Sequence, residues 1–358
     1  MNDLHSLNRI GQSVWLDNLS RDLLQTGRLQ ELISRGVSGL TSNPSIFAKA
    51  IVGSERYRED LARAKAMDAS PQLRLESLLI PDIQAACDLF RPVFEKSGGN
   101  DGYVSLEVSP DLAHDVRATI DQAKRLRQAV DRPNVLIKVP GTAAGQEALE
   151  SLIEQGINVN VTLLFSVRQT VRTFEAYIRG LRKRHEQGLP LDHIKAVASL
   201  FLSRVDSHAD KRLEALGSEA ALALRGKLAL ATAKLAYERY LELFHGPHFA
   251  DLRSAGARPQ YLLWASTSTK NPAYPDLLYV EPLEGPETIN TLPDVTLVAL
   301  LEHGHVQSTL QDPHHSARDA WLEAEKLGIS PDGVGDILQD EGLKLFSQSY
   351  GELLALVR

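Results

Sequence analysis

Lys138 stands in the run NVLIKVPGT, Asn134 to Thr142, among apolar neighbours that otherwise read as a buried strand ahead of a Pro-Gly turn. An unpaired ammonium is costly to bury. Such a lysine either snorkels its head to solvent, or is paired, or is pushed toward neutrality by desolvation and neighbouring cations and becomes a nucleophile for carbonyl carbon. What the other strands place beside it decides among these readings.

Alternation along the candidate strands supplies those neighbours. In INVNVTLLF, Ile157 to Phe165, the residues Asn158, Asn160 and Thr162 share one face while Val159, Val161 and Leu163 share the other. The same rule groups Ser105 with Glu107, Thr41 with Asn43, and Ser199 with Phe201, and sets Asp17 opposite Val14 and Leu16. If the apolar sets pack outward, then Asp17, Asn43, Glu107, Lys138, Asn160, Thr162 and Ser199 converge on one pocket.

The elements that must hold these residues alternate. Strand-like runs occur at Ser13 to Leu19, Gly39 to Pro44, Gly102 to Val108, Asn134 to Pro140, Ile157 to Phe165, Ile194 to Phe201, Tyr261 to Ser266 and Leu278 to Leu283, with helical stretches between them. One such stretch, SPDLAHDVRATIDQAKRLRQAV, has Ser109 placed as N-cap, Pro110 at the first helical position and an apolar face from Leu112 to Val130. Eight such units predict one (β/α)8 barrel spanning residues 1–358, with active-site residues at the C-terminal strand ends. Two regions exceed the repeat: a helical insertion at about 45–99 and a helical tail at about 290–358. The tail carries Leu343, Phe346, Tyr350, Leu353 and Val357 at helical spacing, a stripe that packs on the barrel or caps its mouth.

Composition narrows the class. The chain has 358 residues, 43% apolar and 24% charged, with a formal net charge of −7, which disfavours a nucleic-acid or anionic-membrane partner. Anionic substrates must then meet locally placed cations. One cysteine, Cys87, read as a small helix-core residue, points to a reducing compartment. With no apolar leader and no run of about 18 apolar residues, a cytoplasmic location is expected. His303 and His305, and His314 and His315, lack acidic or cysteine ligands at metal-site spacing and read as solvated loop residues. The basic RGLRKRHEQG reads as the solvated end of a helix.

The fragments SVWLDNL, GLTSNPSIF, VSLEV, NVLIKVPGT, INVNVTLLFS and ASLFLSRVD stand in the order and approximate spacing of the transaldolases, which the chain resembles from about Trp15 to its C-terminus. LLWASTSTKNP resembles the longer branch sometimes fused to a phosphoglucose isomerase. The resemblance implies Schiff-base transfer of a dihydroxyacetone unit from sedoheptulose 7-phosphate or fructose 6-phosphate to glyceraldehyde 3-phosphate or erythrose 4-phosphate, in the non-oxidative pentose phosphate pathway. Lys138 would form the imine, and because a protonated imine is itself the electron sink, no metal or organic cofactor is implied.

By position, the resemblance makes Asp17 the base for the C4 hydroxyl and Glu107 the acid/base acting through a water near Thr162. Asn43 and Asn160 would bind the hydroxyls of the dihydroxyacetone unit, with Ser199 and Phe201 lining the pocket. Arg204 matches the phosphate-binding arginine. Its partner is open among Ser266, Ser268 and Lys270. A fructose 6-phosphate aldolase is the nearest alternative, but those relatives carry glutamine and tyrosine where this chain has Glu107 and Phe201. A silent sugar-phosphate-binding barrel is the other. Sequence leaves monomer and homodimer equally open.

Overall fold

In the computed structural model, which describes residues 4–311 and 315–358, eight parallel strands close into a barrel. They are β1 Gln12–Leu16, β2 Val37–Leu40, β3 Val104–Glu107, β4 Val135–Pro140, β5 Val159–Leu164, β6 Ala196–Phe201, β7 Tyr261–Ala265 and β8 Thr288–Leu292. Each pairs with the next, and β1 against β8 shuts the ring. The strands are rich in Val, Ile and Leu, as sheets buried on both faces require.

Three strands run almost directly into capped helices. The Asn43 side chain accepts from Ile46 N with Pro44 at the first helical position, Thr142 accepts from Gly145 N, and Ser166 from Gln169 N. Each cap satisfies an orphan helical N–H while starting the helix just beyond the strand end. That arrangement aims the strand termini into a common mouth. Deeper in the barrel, Gly39 is required by packing, because a Cβ there would come within 2.5 Å of the Trp15 indole.

Three expectations about the elements are corrected. Leu278–Leu283 is not the eighth strand: it is a turn followed by a single helical turn at Glu281–Leu283, where Pro282 could not donate to a ladder. The true β8, TINTL, turns Thr291 into the barrel and buries Thr288 and Asn290 on its outer face, and its polar residues disguised it. The helices beyond it therefore begin at Asp294 rather than 290. The helix placed from Ser109 begins at Val116, capped by Asp115, because Pro110–Leu112 forms its own short turn.

The region 45–99 holds the helices Pro44–Gly53, Arg58–Ala66 and Pro71–Lys96, the last burying Cys87. The tail ends in the helix Pro331–Leu356, which lies over the ends of β4 and β5: Gln339 Nε2 donates to Gly141 O and Leu163 O, both at 3.0 Å. Arg184 is not a solvated residue of its basic run. It is buried and donates to the carbonyls of Glu154 and Pro190. His303 closes the helix Asp294–His303 beside Asp276, and His315 opens another, so neither is a loop residue; His305 is exposed, and His314 lies outside the described residues.

Candidate active site

A cavity of about 310 Å³ opens at the C-terminal ends of the strands. Ten of the twelve expected site residues line it: Asp17, Asn43, Lys138, Thr162, Ser199, Phe201, Arg204, Ser266, Ser268 and Lys270. Lys138 is 4% exposed and donates from Nζ to Ser42 O at 3.2 Å. It does not reach bulk solvent. Its Cα partners on the flanking strands are Glu107 on β3 and Asn160 on β5.

Asp17 follows β1, its backbone N–H bonded to Leu292 O at 2.8 Å. Thr41 donates to Asp17 Oδ1 at 2.7 Å, and its hydroxyl also meets that of Thr291 at 2.7 Å. Burial raises the Asp17 carboxyl above the usual range, Lys138 and the Thr41 hydrogen bond pull it back, and Asp294 adds a further upward push that Lys270 opposes. The carboxylate is therefore held by one hydroxyl while facing the amine across the cavity.

Glu107 and Asn160 do not line this cavity. Asn160 lies one layer deeper, where its Nδ2 donates to Ser105 Oγ at 3.1 Å and its Oδ1 accepts from Ser199 Oγ at 2.7 Å. Glu107 faces a smaller compartment with Ser42, Asn43, Tyr350 and Leu353, so the C-terminal helix walls it in. Strand alternation assigns a face but not a depth, which is why both were expected in one pocket. Oε2 of Glu107 and Oγ1 of Thr162 are buried with no hydrogen-bond partner among the described residues.

Burial pushes Glu107 up to about 7, against the charge of Lys138 and reinforced by Asp17. The folded protein thus binds a proton that the unfolded chain releases nearer pH 4.5, so this carboxyl costs stability as pH rises through that window. We predict that Glu107→Gln raises the melting temperature relative to the parent at pH 8, with the gain shrinking toward pH 5. The difference is worth on the order of 3 kcal/mol at most. Thermal melts across that range check it, and a pH-independent difference contradicts it.

The opposite end of the cavity is cationic. Arg204 is set at the start of the helix Ser203–Leu216, its guanidinium 5.9 Å from the Phe201 ring centroid. Lys270 donates to Ser268 Oγ at 2.7 Å. Burial lowers the Lys270 ammonium, the charges of Arg204 and Lys49 lower it further, and Asp17 opposes them. Ser266, in the left-handed region at φ 54°, has its hydroxyl 2.9 Å from that of Ser203 and accepts from Ser203 N at 3.1 Å. Of the three open candidates, Lys270 with Ser268 presents a charge to the cavity, whereas Ser266 fastens the loop.

Other lining residues were given no role at the site from the sequence, apart from the tail stripe that includes Phe346. Thr41 was paired with Asn43 by alternation but given no role, and Thr291 sits on the unrecognised β8. Ser45 and Lys49, spaced by four on the helix that Asn43 caps, share the face toward the mouth. That spacing beside a known cap was the available signal. Phe346 of the C-terminal helix completes the wall, so the tail does form part of this site.

A deep amine beside two carboxylates of distinct environment, neutral donors on the walls and cations at the rim suit a polyhydroxy carbonyl compound with an anionic end. Among the described residues no group of three or more His, Cys, Asp and Glu side chains is placed to hold a metal ion. No described helix is long and apolar enough to cross a membrane. The family model described as Transaldolase/Fructose-6-phosphate aldolase matches residues 14–357. A transaldolase of Thiobacillus denitrificans is 56% identical over 358 residues, covering all of both chains. One from Neisseria gonorrhoeae is 46% identical over 99% of each chain, and transaldolase 1 of Streptomyces coelicolor 47% identical over 97% of this chain and 92% of its own.

Proposed function

Since the chain belongs to the transaldolase/fructose-6-phosphate aldolase family, we propose that it works as a transaldolase through a Schiff base at Lys138. The observation that carries this reading is the Lys138 amine held on the cavity floor, with Asp17 in the same cavity and Glu107 on the adjoining strand. The amine attacks C2 of a ketose phosphate, sedoheptulose 7-phosphate or fructose 6-phosphate, and the carbinolamine loses water to give a protonated imine.

Glu107 and Thr162 serve that dehydration. They stand on the two strands that flank β4, each with a buried oxygen that has no partner among the described residues, and a carboxyl titrating near 7 can both give and take a proton at neutral pH. Asp17 then accepts the proton of the C4 hydroxyl, the C3–C4 bond breaks, and its electron pair passes into the imine as an enamine. The iminium is the electron sink, so the sequence as written draws on no metal or organic cofactor.

The aldose phosphate leaves and a second one, glyceraldehyde 3-phosphate or erythrose 4-phosphate, enters to be attacked by the enamine. Asn43, whose carbonyl oxygen is committed to its cap, keeps its amide N–H₂ for the bound three-carbon unit. Ser199 lines the same wall, oriented from below by Asn160. Arg204 and Lys270, with Lys49 at the rim, take the phosphate. This reaction fits the non-oxidative pentose phosphate pathway and a cytoplasmic setting, with which the buried free thiol of Cys87 agrees.

The test separates transfer from simple cleavage. Fructose 6-phosphate consumption is expected to depend on added erythrose 4-phosphate. Release of free dihydroxyacetone at a comparable rate without acceptor rejects the reading in favour of an aldolase.

A further inference from the structure

Lys270 lies in a connection, residues 266–280, that has no helix or strand of its own, yet its ammonium must stay in register with Arg204 across the cavity. Both flanks of that connection are fastened to one helix, Ser203–Leu216, the helix whose second residue is Arg204. Four residues before Lys270, Ser266 pairs with Ser203. Four residues after it, Tyr274 donates from its hydroxyl to Asp210 Oδ2 at 2.7 Å. Further along, Tyr279 donates to Asp206 Oδ2 at 2.8 Å.

The two aspartates are one turn apart and buried, and their remaining oxygens are also used. Asp206 Oδ1 accepts from Ala229 N at 2.8 Å and Asp210 Oδ1 from Gly226 N at 3.1 Å. Gly226, at φ +69°, brings its bare Cα against the Tyr274 ring, where an added Cβ would stand 3.0 Å from Cζ. A carboxylate with both oxygens occupied by fixed donors does not swing. None of these groups lines the cavity floor, and the reaction as described uses none of them.

We infer that Asp210 and Tyr274, with Asp206 and Tyr279 behind them, are positioning residues that hold Lys270 at a set distance from Arg204 and so tune the site to a sugar phosphate over its uncharged counterpart. The inference rests on the phosphate role of Arg204 and Lys270. Loosening the clasp leaves the amine chemistry of Lys138 in place but lets the Lys270 loop drift, and misplacement of a binding group by about 1 Å is enough to weaken a site severely.

The experiment uses the full-length chain carrying Tyr274→Phe, and separately Asp210→Asn, which retains an oxygen for Gly226 N. Acceptor kinetics are compared for erythrose 4-phosphate and unphosphorylated D-erythrose, with melting temperatures measured alongside. The expected result is a rise of about tenfold in KM for the phosphorylated acceptor, with kcat little changed and the kinetics of D-erythrose unaltered. Equal losses for both acceptors, or no change for either, overturn the inference. Lys270→Ala is the companion. If it leaves the preference for phosphate intact, the phosphate assignment fails and the clasp with it; if it removes the preference while Tyr274→Phe and Asp210→Asn do not lower it, the clasp alone is wrong.

Discussion

Lys138→Ala is expected to lower turnover by about 10⁴-fold or more, since removing a covalent nucleophile removes the whole route that depends on it. The same variant loses the adduct formed when fructose 6-phosphate and borohydride are added together, because reduction traps only an imine. In the parent protein, peptide mass mapping is expected to place the trapped three-carbon or six-carbon adduct on the peptide containing Lys138. The substitution should be tolerated by the fold. Among the described residues Lys138 Nζ donates to Ser42 O, and the side chain lines a cavity rather than filling a packed core. Its loss also removes the charge that opposes the burial of Glu107, so that carboxyl titrates higher still. An adduct on another lysine, or a Lys138→Ala protein with normal turnover, would falsify the mechanism at its first step.

Much of this site was legible because strand alternation is a strict rule with a local cause. Asp17 sits at the end of an apolar run and Lys138, Thr162 and Ser199 sit within theirs, and the face opposite the hydrophobic residues could be read from two or three neighbours. What the rule does not carry is depth and reach. Asn160 is on the same face as Thr162 but two residues earlier, which puts it a layer lower, bonded to Ser105 and Ser199 instead of facing the cavity. Glu107 is level with Lys138 along the strand, yet it lines a small adjoining compartment that the C-terminal helix closes and that shares Asn43 with the main cavity.

β8 escaped for the opposite reason. A strand with buried Thr and Asn residues on both of its faces lacks the apolar signal, while the nearby LYVEPL has the signal because Tyr279, Val280 and Leu283 are buried without being in the sheet. Lys49 comes from a helix face whose role at the mouth was not drawn from its spacing, and Phe346 from a tail stripe for which sequence left barrel packing and a cap over the mouth both open. The residues that gather at the strand ends were therefore readable, and the depth of each and the helices around them were readable only in part.

The proposed mechanism gives the two carboxylates separate tasks, and Asp17→Asn is the variant that exposes the division. Asparagine keeps the shape and an oxygen for Thr41, so the wall of the cavity should remain intact. It has no capacity to accept the C4 hydroxyl proton at neutral pH. The expected result is a loss of about 10²–10⁴-fold in transfer, the span associated with a missing general base, while the borohydride adduct at Lys138 still forms. Carbinolamine formation and dehydration precede the step that needs Asp17, and Glu107 remains in place to serve them. Trapping with the six-carbon ketose should accumulate an uncleaved adduct, distinguishable by mass from the three-carbon adduct of the parent. If Asp17→Asn instead abolished trapping altogether, Asp17 would be acting on the amine and not on the sugar. In that event the upward push of burial on its carboxyl, and the pull of Lys138 against it, would describe an ion pair that activates the lysine. Retention of the six-carbon adduct with loss of cleavage assigns Asp17 to carbon–carbon bond breaking, and a carboxyl that shares the cavity with Lys138 and is held by the Thr41 hydroxyl suits such a late-acting base.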